Sequence, residues 1–147
     1  MLNLFLVMFL VVLNGFFVAA EFAMVKVRST RIDTLLQEGN TRARFAKKIV
    51  NHLDSYLSAC QLGITLASLG LGWIGEPAVA AMIEPIMMEW GFPSQIIHTV
   101  SFAVAFSIIT ALHIILGELA PKSLAIQKAM SVILWISVPL IGFYKLM

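Results

Sequence analysis

The sequence predicts an all-α membrane protein with three transmembrane helices, accompanied by cytoplasmic juxtamembrane and interfacial helices. Of its 147 residues, 60% are hydrophobic and 12% are charged, whereas soluble domains are about 45–50% apolar and about 25% charged. Four apolar runs approach the roughly 20 residues that a helix needs to cross a bilayer. The basic residues are concentrated in one segment between two of these runs. The composition argues against a soluble enzyme, because too few ionic side chains are present to solvate its surface.

The three predicted spans cover residues 2–25, 56–75 and 96–117. In the first span, Val-Ala-Ala at 18–20 resembles a signal-peptidase site, but no Lys or Arg precedes it, so a retained helix is predicted. The fourth apolar run, 129–147, contains a proline and a glycine near its end. It is either a fourth span or a helix in the membrane interface. We favour the second alternative, a juxtamembrane belt over about 124–147.

The distribution of basic residues predicts the orientation. Seven of the ten lie between Lys26 and Lys48, so the positive-inside rule places segment 26–54 in the cytoplasm. The N-terminus is then outside, the C-terminus is cytoplasmic, and the plasma membrane is the expected location. Within the segment, apolar residues at helical spacing predict an amphipathic helix pair over 29–53. This pair either binds anionic lipid through its basic surface or is a solvated connection.

Polar side chains inside the apolar runs mark a candidate site, because burying an ionisable group in a bilayer costs about 2.5–3.5 kcal/mol. Glu21 and Glu118 each lie four or five residues before a lysine, and Gln61 lies seven residues after Asp54. Three helices therefore bring oxygen-bearing side chains to one level. The predicted metal-ligating residues are Glu118, Gly117, Ser68, Thr65, Gln61, Asn14, Glu21, Ser107 and Thr110.

Helical spacing supports a shared site. Gln61, Thr65 and Ser68 follow i, i+4, i+7 spacing and share one face of their helix. Ser107 lies nearly in phase with Glu118, whereas the same 3.6-residue period turns the histidine at 113 away from this carboxylate. Small residues for close helix packing or dimerisation occupy the opposite face of the second span, at Gly63, Ala67 and Gly70.

Pro121 predicts a break at the end of the third span. Proline has no N–H group and clashes with the carbonyl four residues earlier, which is that of Gly117. A freed carbonyl beside the Glu118 carboxylate makes an all-oxygen environment, which suits a hard cation such as Mg²⁺ or Na⁺. Cys60 is the single cysteine, so a thiolate site for zinc or copper is disfavoured.

Other roles stay open for these groups. Membrane Ser and Thr side chains commonly bond the carbonyl four residues earlier in their own helix. Glu21 either snorkels or pairs with Lys26 or Arg28, and Lys122 is an interface anchor or a partner of Glu118. No nucleophile–base pair stands out, so no enzymatic activity is predicted. Nucleic acid is not an expected partner.

Three stretches of the sequence resemble the transmembrane domain of the CNNM/CorC family of magnesium transport proteins. The stretches occur in the family's order: Asn-Gly-Phe-Phe at 14–17 with Ala-Glu-Phe-Ala at 20–23, Gln-Leu-Gly-Ile-Thr at 61–65 through Gly-Trp at 72–73, and His113 with Gly-Glu-Leu-Ala-Pro-Lys at 117–122. The resemblance as a whole covers nearly the entire chain, and it implies one transmembrane domain over 1–147.

The resemblance implies a homodimer with three transmembrane helices per protomer and a juxtamembrane belt after the third. It also implies export of Mg²⁺ coupled to Na⁺ entry, with Glu118 as the acidic ligand. Val18 stands where many relatives have a ligand serine, and Asn14 or Glu21 are the candidates to replace it. Family members continue into cytoplasmic CBS domains. The alternative function is a membrane anchor and dimerisation module for such domains.

Overall fold

The computed structural model describes residues 2–146, which form eight α-helices and two π-helical turns and contain no β-strand. The all-α prediction is therefore confirmed. In chain order the elements are α1 (Leu2–Lys26), α2 (Ser29–Gln37), α3 (Thr41–Asn51), α4 (Leu53–Gly70), the first π-turn (Leu71–Gly75), α5 (Glu76–Glu89), α6 (Ser94–Ile114), the second π-turn (Ile115–Leu119), α7 (Ala120–Gln127) and α8 (Ala129–Leu146).

Four helical stretches are long and apolar enough to cross a membrane, which identifies a multi-pass membrane protein. They are Leu2–Lys26, Leu53–Glu89, Ser94–Gln127 and Ala129–Leu146. The second and third stretches extend past the predicted ends at residues 75 and 117, because π-helical turns continue each helix instead of ending it. Pro77 and Pro121 lie in the first turns of α5 and α7, where a missing N–H group is tolerated.

Helix α1 joins two hydrophobic cores. Its first half contributes Val7 and Val11 to a core shared with the first π-turn, α5 and α6. Its second half, from Phe17 to Met24, enters a larger core formed with α2, α3, α4 and α8. Asn14 lies between these two sets of α1 residues and is fully buried. A polar side chain thus occupies the boundary between the two apolar cores.

The basic segment folds into the short helices α2 and α3. Gly39 adopts φ +86°, a left-handed conformation that ends α2 at little steric cost. Asn40 begins α3 because its Oδ1 atom accepts hydrogen bonds from the N–H groups of Arg42 and Ala43, at 2.9 and 3.2 Å. The segment is not a loosely solvated connection, because Ile32 and Ile49 are fully buried in the larger core.

Helix α8 packs against α1 and α3 beyond a sharp bend at Lys128, whose backbone leaves the helical region at φ −131°. Pro139 lies inside α8 without ending it. Arg42 of α3 lies over the ring of Trp135, 4.1 Å from its centroid. The predicted belt extends to residue 147, which is outside the described residues.

The small-residue face of α4 packs against α1 of the same chain. A Cβ atom added at Gly63 would lie 2.6 Å from the Phe17 ring, and one at Gly70 would lie 3.4 Å from Leu10. Ala67 is also buried. These residues therefore allow close helix packing within one protomer.

Candidate ion-binding site

The candidate site is centred on the buried side chain of Asn14. Its Nδ2 atom donates a hydrogen bond to the Gly117 carbonyl oxygen at 2.9 Å. Pro121 has no N–H group to offer that carbonyl, so the amide of Asn14 replaces the missing helical donor. The carbonyl that Pro121 is predicted to free thus finds its hydrogen-bond donor on α1.

The close approach of α1 requires a glycine in the second π-turn. A Cβ atom added at Gly117 would lie 2.9 Å from Nδ2 of Asn14 and 3.2 Å from Cδ2 of His113. The backbone N–H of Ala120 bonds the carbonyl of Ile115, five residues earlier, which is the π-helical pattern. This turn therefore presents the Gly117 carbonyl directly to α1.

Ser68 extends the network to a third helical stretch. Its hydroxyl donates to Oδ1 of Asn14 at 3.3 Å and lies 3.2 Å from Nε2 of His113. A serine hydroxyl has one hydrogen, so while it is donated to Asn14 the second contact requires Nε2 of His113 to be the donor. Side chains from α1, α4 and α6 and one main-chain carbonyl thus form a continuous polar cluster.

Glu118 lies at the edge of this cluster, and its position corrects one expectation and decides against one of two open alternatives. Its Oε1 atom is 4.0 Å from Nε2 of His113, so the prediction that His113 points away from Glu118 is wrong. That prediction used the α-helical period, and the π-turn changes it. Lys122 does not pair with Glu118; its Nζ atom lies 4.8 Å from the centre of the Phe22 ring. The Glu118 side chain remains 48% exposed.

A cavity of about 300 Å³ adjoins the network between α4 and α6. Ser68, Thr110 and His113 line it, together with Glu76, the first residue of α5. Glu76 and His113 were missing from the predicted set. The signal for Glu76 was present in the sequence, because Gly-Glu-Pro at 75–77 resembles the glycine, glutamate and proline of 117–121.

The remaining predicted residues lie outside the network. Gln61 and Thr65 are exposed on α4, and no hydrogen bond joins them to the cluster in residues 2–146. Ser107 is exposed and donates to the Ala103 carbonyl at 2.8 Å, as in the alternative open for membrane serines. Glu21 is half-buried and has no ion pair within 4 Å in the described chain, so the alternative pairing with a nearby base is absent.

The donor chemistry of the cluster suits a hard cation. Within the described residues, no group of three or more His, Cys, Asp or Glu side chains converges to hold a metal. An ion at this point would therefore depend on neutral oxygens of Asn14, Ser68 and Gly117 and on one carboxylate, that of Glu118. Neutral oxygens with few carboxylates are typical ligands of Na⁺, Mg²⁺ and Ca²⁺ rather than of softer metals.

The amino-acid sequence of the chain matches a known protein family. Residues 5–147 match the family model described as the Cyclin M transmembrane N-terminal domain, abbreviated CNNM. The match covers nearly the whole chain and includes every residue of the polar cluster. It places the chain in a lipid bilayer environment.

Curated relatives from Bacillus subtilis (strain 168) agree with this match. The UPF0053 protein YugS is 51% identical over 145 residues, which is 99% of this chain and 34% of YugS. The UPF0053 proteins YhdP and YhdT are 50% and 52% identical over 98% and 99% of the chain, and 32% of each relative is covered. The chain thus spans about a third of the length of these relatives.

Proposed function

The chain belongs to the CNNM family of membrane proteins, and from that premise we propose that it transports divalent cations, with Mg²⁺ as its cargo. The proposed direction is export, coupled to entry of Na⁺. The observation that carries the proposal is the hydrogen bond from Asn14 to the Gly117 carbonyl beside Glu118. It brings oxygen-bearing groups from separate helices together at the second π-turn, in a chain that has few charged groups to place there.

The same hydrogen bond suggests how the ion is held. A cation that takes the Gly117 carbonyl competes with the Nδ2 donor of Asn14. If the amide turns over, Oδ1 faces the ion, and the hydrogen bond that Ser68 donates to Oδ1 is lost. Glu118 supplies the negative charge and is exposed enough to meet an incoming ion. Binding thereby changes contacts between α1, α4 and the second π-turn together, which is the coupling that alternating access requires.

The proposed topology has three spans and a homodimeric assembly. Seven of ten basic residues lie between Lys26 and Lys48, which supports a cytoplasmic location for α2 and α3. Helix α8 packs against α3, and Pro139 lies within it, so we propose that it follows the cytoplasmic interface. The N-terminus would then be outside and the C-terminus cytoplasmic, in the plasma membrane. CBS domains are the proposed cytoplasmic partners in a longer protein.

Flux in proteoliposomes tests the proposal. The full chain is reconstituted with a Mg²⁺-sensitive dye inside the vesicles, and uptake or release is followed with and without an opposing Na⁺ gradient. We expect Mg²⁺ flux that rises with the Na⁺ gradient and falls about tenfold or more in Glu118→Ala, because the single carboxylate at the cluster is removed. The Na⁺ dependence separates coupled transport from a passive leak.

Glu89→Ala is the matched control. Glu89 is an exposed acid at the end of α5, so its removal changes the net charge equally but leaves the cluster intact. Equal Mg²⁺ flux in the wild type and Glu118→Ala would overturn the assignment. Flux that is independent of Na⁺ would overturn the coupling alone.

The second candidate function is a membrane anchor and dimerisation module. The coverage of the relatives favours it, because about two thirds of each lies beyond the part that this chain matches. An anchor predicts that Glu118→Ala leaves every activity of a longer relative intact. It also predicts no thermal stabilisation of the purified chain by Mg²⁺.

A further inference from the structure

A large basic cavity lies at the opposite end of α1 from the first hydrophobic core. Its volume is about 570 Å³, and it opens between the end of α1, the start of α2 and the junction of α7 with α8. Four of its lining residues are cationic: Lys26, Arg28, Arg31 and Lys128. No carboxylate lines it, and Gln127 and Ser131 add polar groups.

The four cations have no acidic partner in the described part of the chain. The ion pairs within 4 Å there join Lys47 to Asp33 and two histidines to glutamates. Cationic side chains that converge on one cavity without carboxylates repel one another and create a positive potential, which an anion relieves. Arginine and lysine side chains also donate charge-assisted hydrogen bonds to the oxygens of a phosphate group.

An apolar groove continues from this cavity. It measures about 340 Å³ and lies between α2 and α8, where Thr34, Leu35 and Leu134 line it. Arg31 and Met130 line both the groove and the basic cavity. The cavity and the groove therefore adjoin at these two residues and together form a depression with a cationic end and an apolar end, which an amphiphilic anion complements.

The location of the depression suits a lipid. Lys26 ends the apolar helix α1, so the cationic end lies where hydrocarbon gives way to polar surroundings. Trp135, which follows Leu134 in α8, is exposed. Tryptophan side chains are typical of membrane interfaces. A free phosphate ion would use the basic cavity but would leave the apolar groove empty.

We propose that this depression binds one anionic phospholipid. The phosphate lies among Lys26, Arg28, Arg31 and Lys128, and an acyl chain lies along the groove between Leu35 and Leu134. The site is independent of the proposed transport function. It assigns the basic segment a specific ligand rather than a general attraction to charged membranes.

The test measures lipid binding by the purified full chain in a neutral detergent. Native mass spectrometry and thermal melting are recorded with phosphatidylglycerol, phosphatidylcholine, inorganic phosphate and glycerol phosphate. We expect saturable retention of about one phosphatidylglycerol per chain and a higher melting temperature with that lipid alone. Equal effects of phosphatidylcholine would overturn the proposal, and so would stabilisation by inorganic phosphate or glycerol phosphate as strong as that by the lipid.

A pair of double variants tests the location. Arg31→Gln with Lys128→Gln removes two cations from the cavity, and we expect the affinity for phosphatidylglycerol to fall about tenfold or more. Arg44→Gln with Lys48→Gln removes the same charge from exposed positions of α3, and the affinity should change by less than about twofold. Equal losses would show a non-specific charge effect and overturn the site. The four substituted side chains are all exposed. If a variant does not fold, the preference of the wild type for phosphatidylglycerol over phosphatidylcholine decides whether the site exists.

Discussion

The two π-turns place the same backbone feature in different surroundings. Each is followed by a helix with a proline in its first turn, and each contains a glycine at a close contact. A Cβ atom added at Gly75 would meet Cδ1 of Ile109 at 3.0 Å, whereas one at Gly117 would meet Nδ2 of Asn14 at 2.9 Å. The first π-turn thus packs against hydrocarbon and the second against an amide.

This difference indicates that a proline after a π-turn does not by itself bring polar groups together. Leu71 of the first π-turn is buried among Val7 and Val11 in the apolar core, so that turn chiefly shapes the packing. In the second π-turn, a polar residue of α1 meets the freed carbonyl. The neighbouring helix therefore decides whether a carbonyl in the turn meets a polar side chain.

The largest expected contrast is between Glu118, within the second π-turn, and Glu76, directly after the first. Glu118→Gln should lower Mg²⁺ flux about tenfold or more, because it removes the carboxylate next to the cluster while keeping its shape. Glu76→Gln should lower flux by only about two- to threefold, since Glu76 lines the adjacent cavity but, unlike Glu118, makes no ion-pair contact with His113. Dye-based flux in proteoliposomes measures both. A larger effect at Glu76 would reverse the roles that we assign to the two turns.

The second contrast is between the two glycines. Gly117→Ala should lower the free energy of unfolding by about 1–3 kcal/mol, because the new methyl group pushes against Asn14 and breaks its hydrogen bond. Gly75→Ala should change it by less than about 1 kcal/mol, since the terminal methyl of Ile109 can move aside. Denaturation of the purified chain in mixed micelles provides the measurement. Equal destabilisation would mean that both glycines serve packing alone.

A smaller contrast is expected between the two prolines. Pro121→Ala restores an N–H group that can bond the Gly117 carbonyl and compete with Asn14, so Mg²⁺ flux should fall about threefold. Pro77→Ala should leave flux within about twofold of the wild type, because its turn faces the apolar core. Flux is normalised to the amount of reconstituted protein. Unchanged flux in Pro121→Ala would separate the proline from the site.

The last contrast compares two serines. Ser68→Ala removes a hydroxyl oxygen that we propose as a ligand, so Mg²⁺ binding should weaken about threefold, the effect expected of one polar contact worth about 0.6 kcal/mol in a membrane protein. Ser107→Ala removes only a bond to its own helix and should have no measurable effect on binding. Mg²⁺-dependent melting curves report the affinity. Matching curves for the two variants would exclude Ser68 from the site.

Much of the architecture could be predicted because hydropathy and charge act over long stretches. The apolar runs revealed the helices, and the clustered bases revealed the segment that forms α2 and α3. Helical structure continues beyond the predicted ends of the second and third spans, although glycine and proline normally signal the end of a helix. In this chain Pro77 and Pro121 lie in the first turns of the helices that follow the π-turns.

The site was predicted as a set of residues but not as an arrangement. Asn14, Ser68, Gly117 and Glu118 were all named, yet the direct bond between Asn14 and Gly117 depends on which helices are neighbours, and periodicity does not contain that information. The relation of His113 to Glu118 failed for another reason. A regular period of 3.6 residues was applied across a turn that does not obey it.

The extra residue in the second π-turn also determines the orientation of α7. One additional residue in a helical turn rotates everything after it by about 100° around the helix axis. Deletion of one residue from Ile115–Leu119 would therefore swing Lys122 away from the Phe22 ring and expose a different side of α7 to α1. The length of this short turn therefore sets the orientation of about the last fifth of the chain.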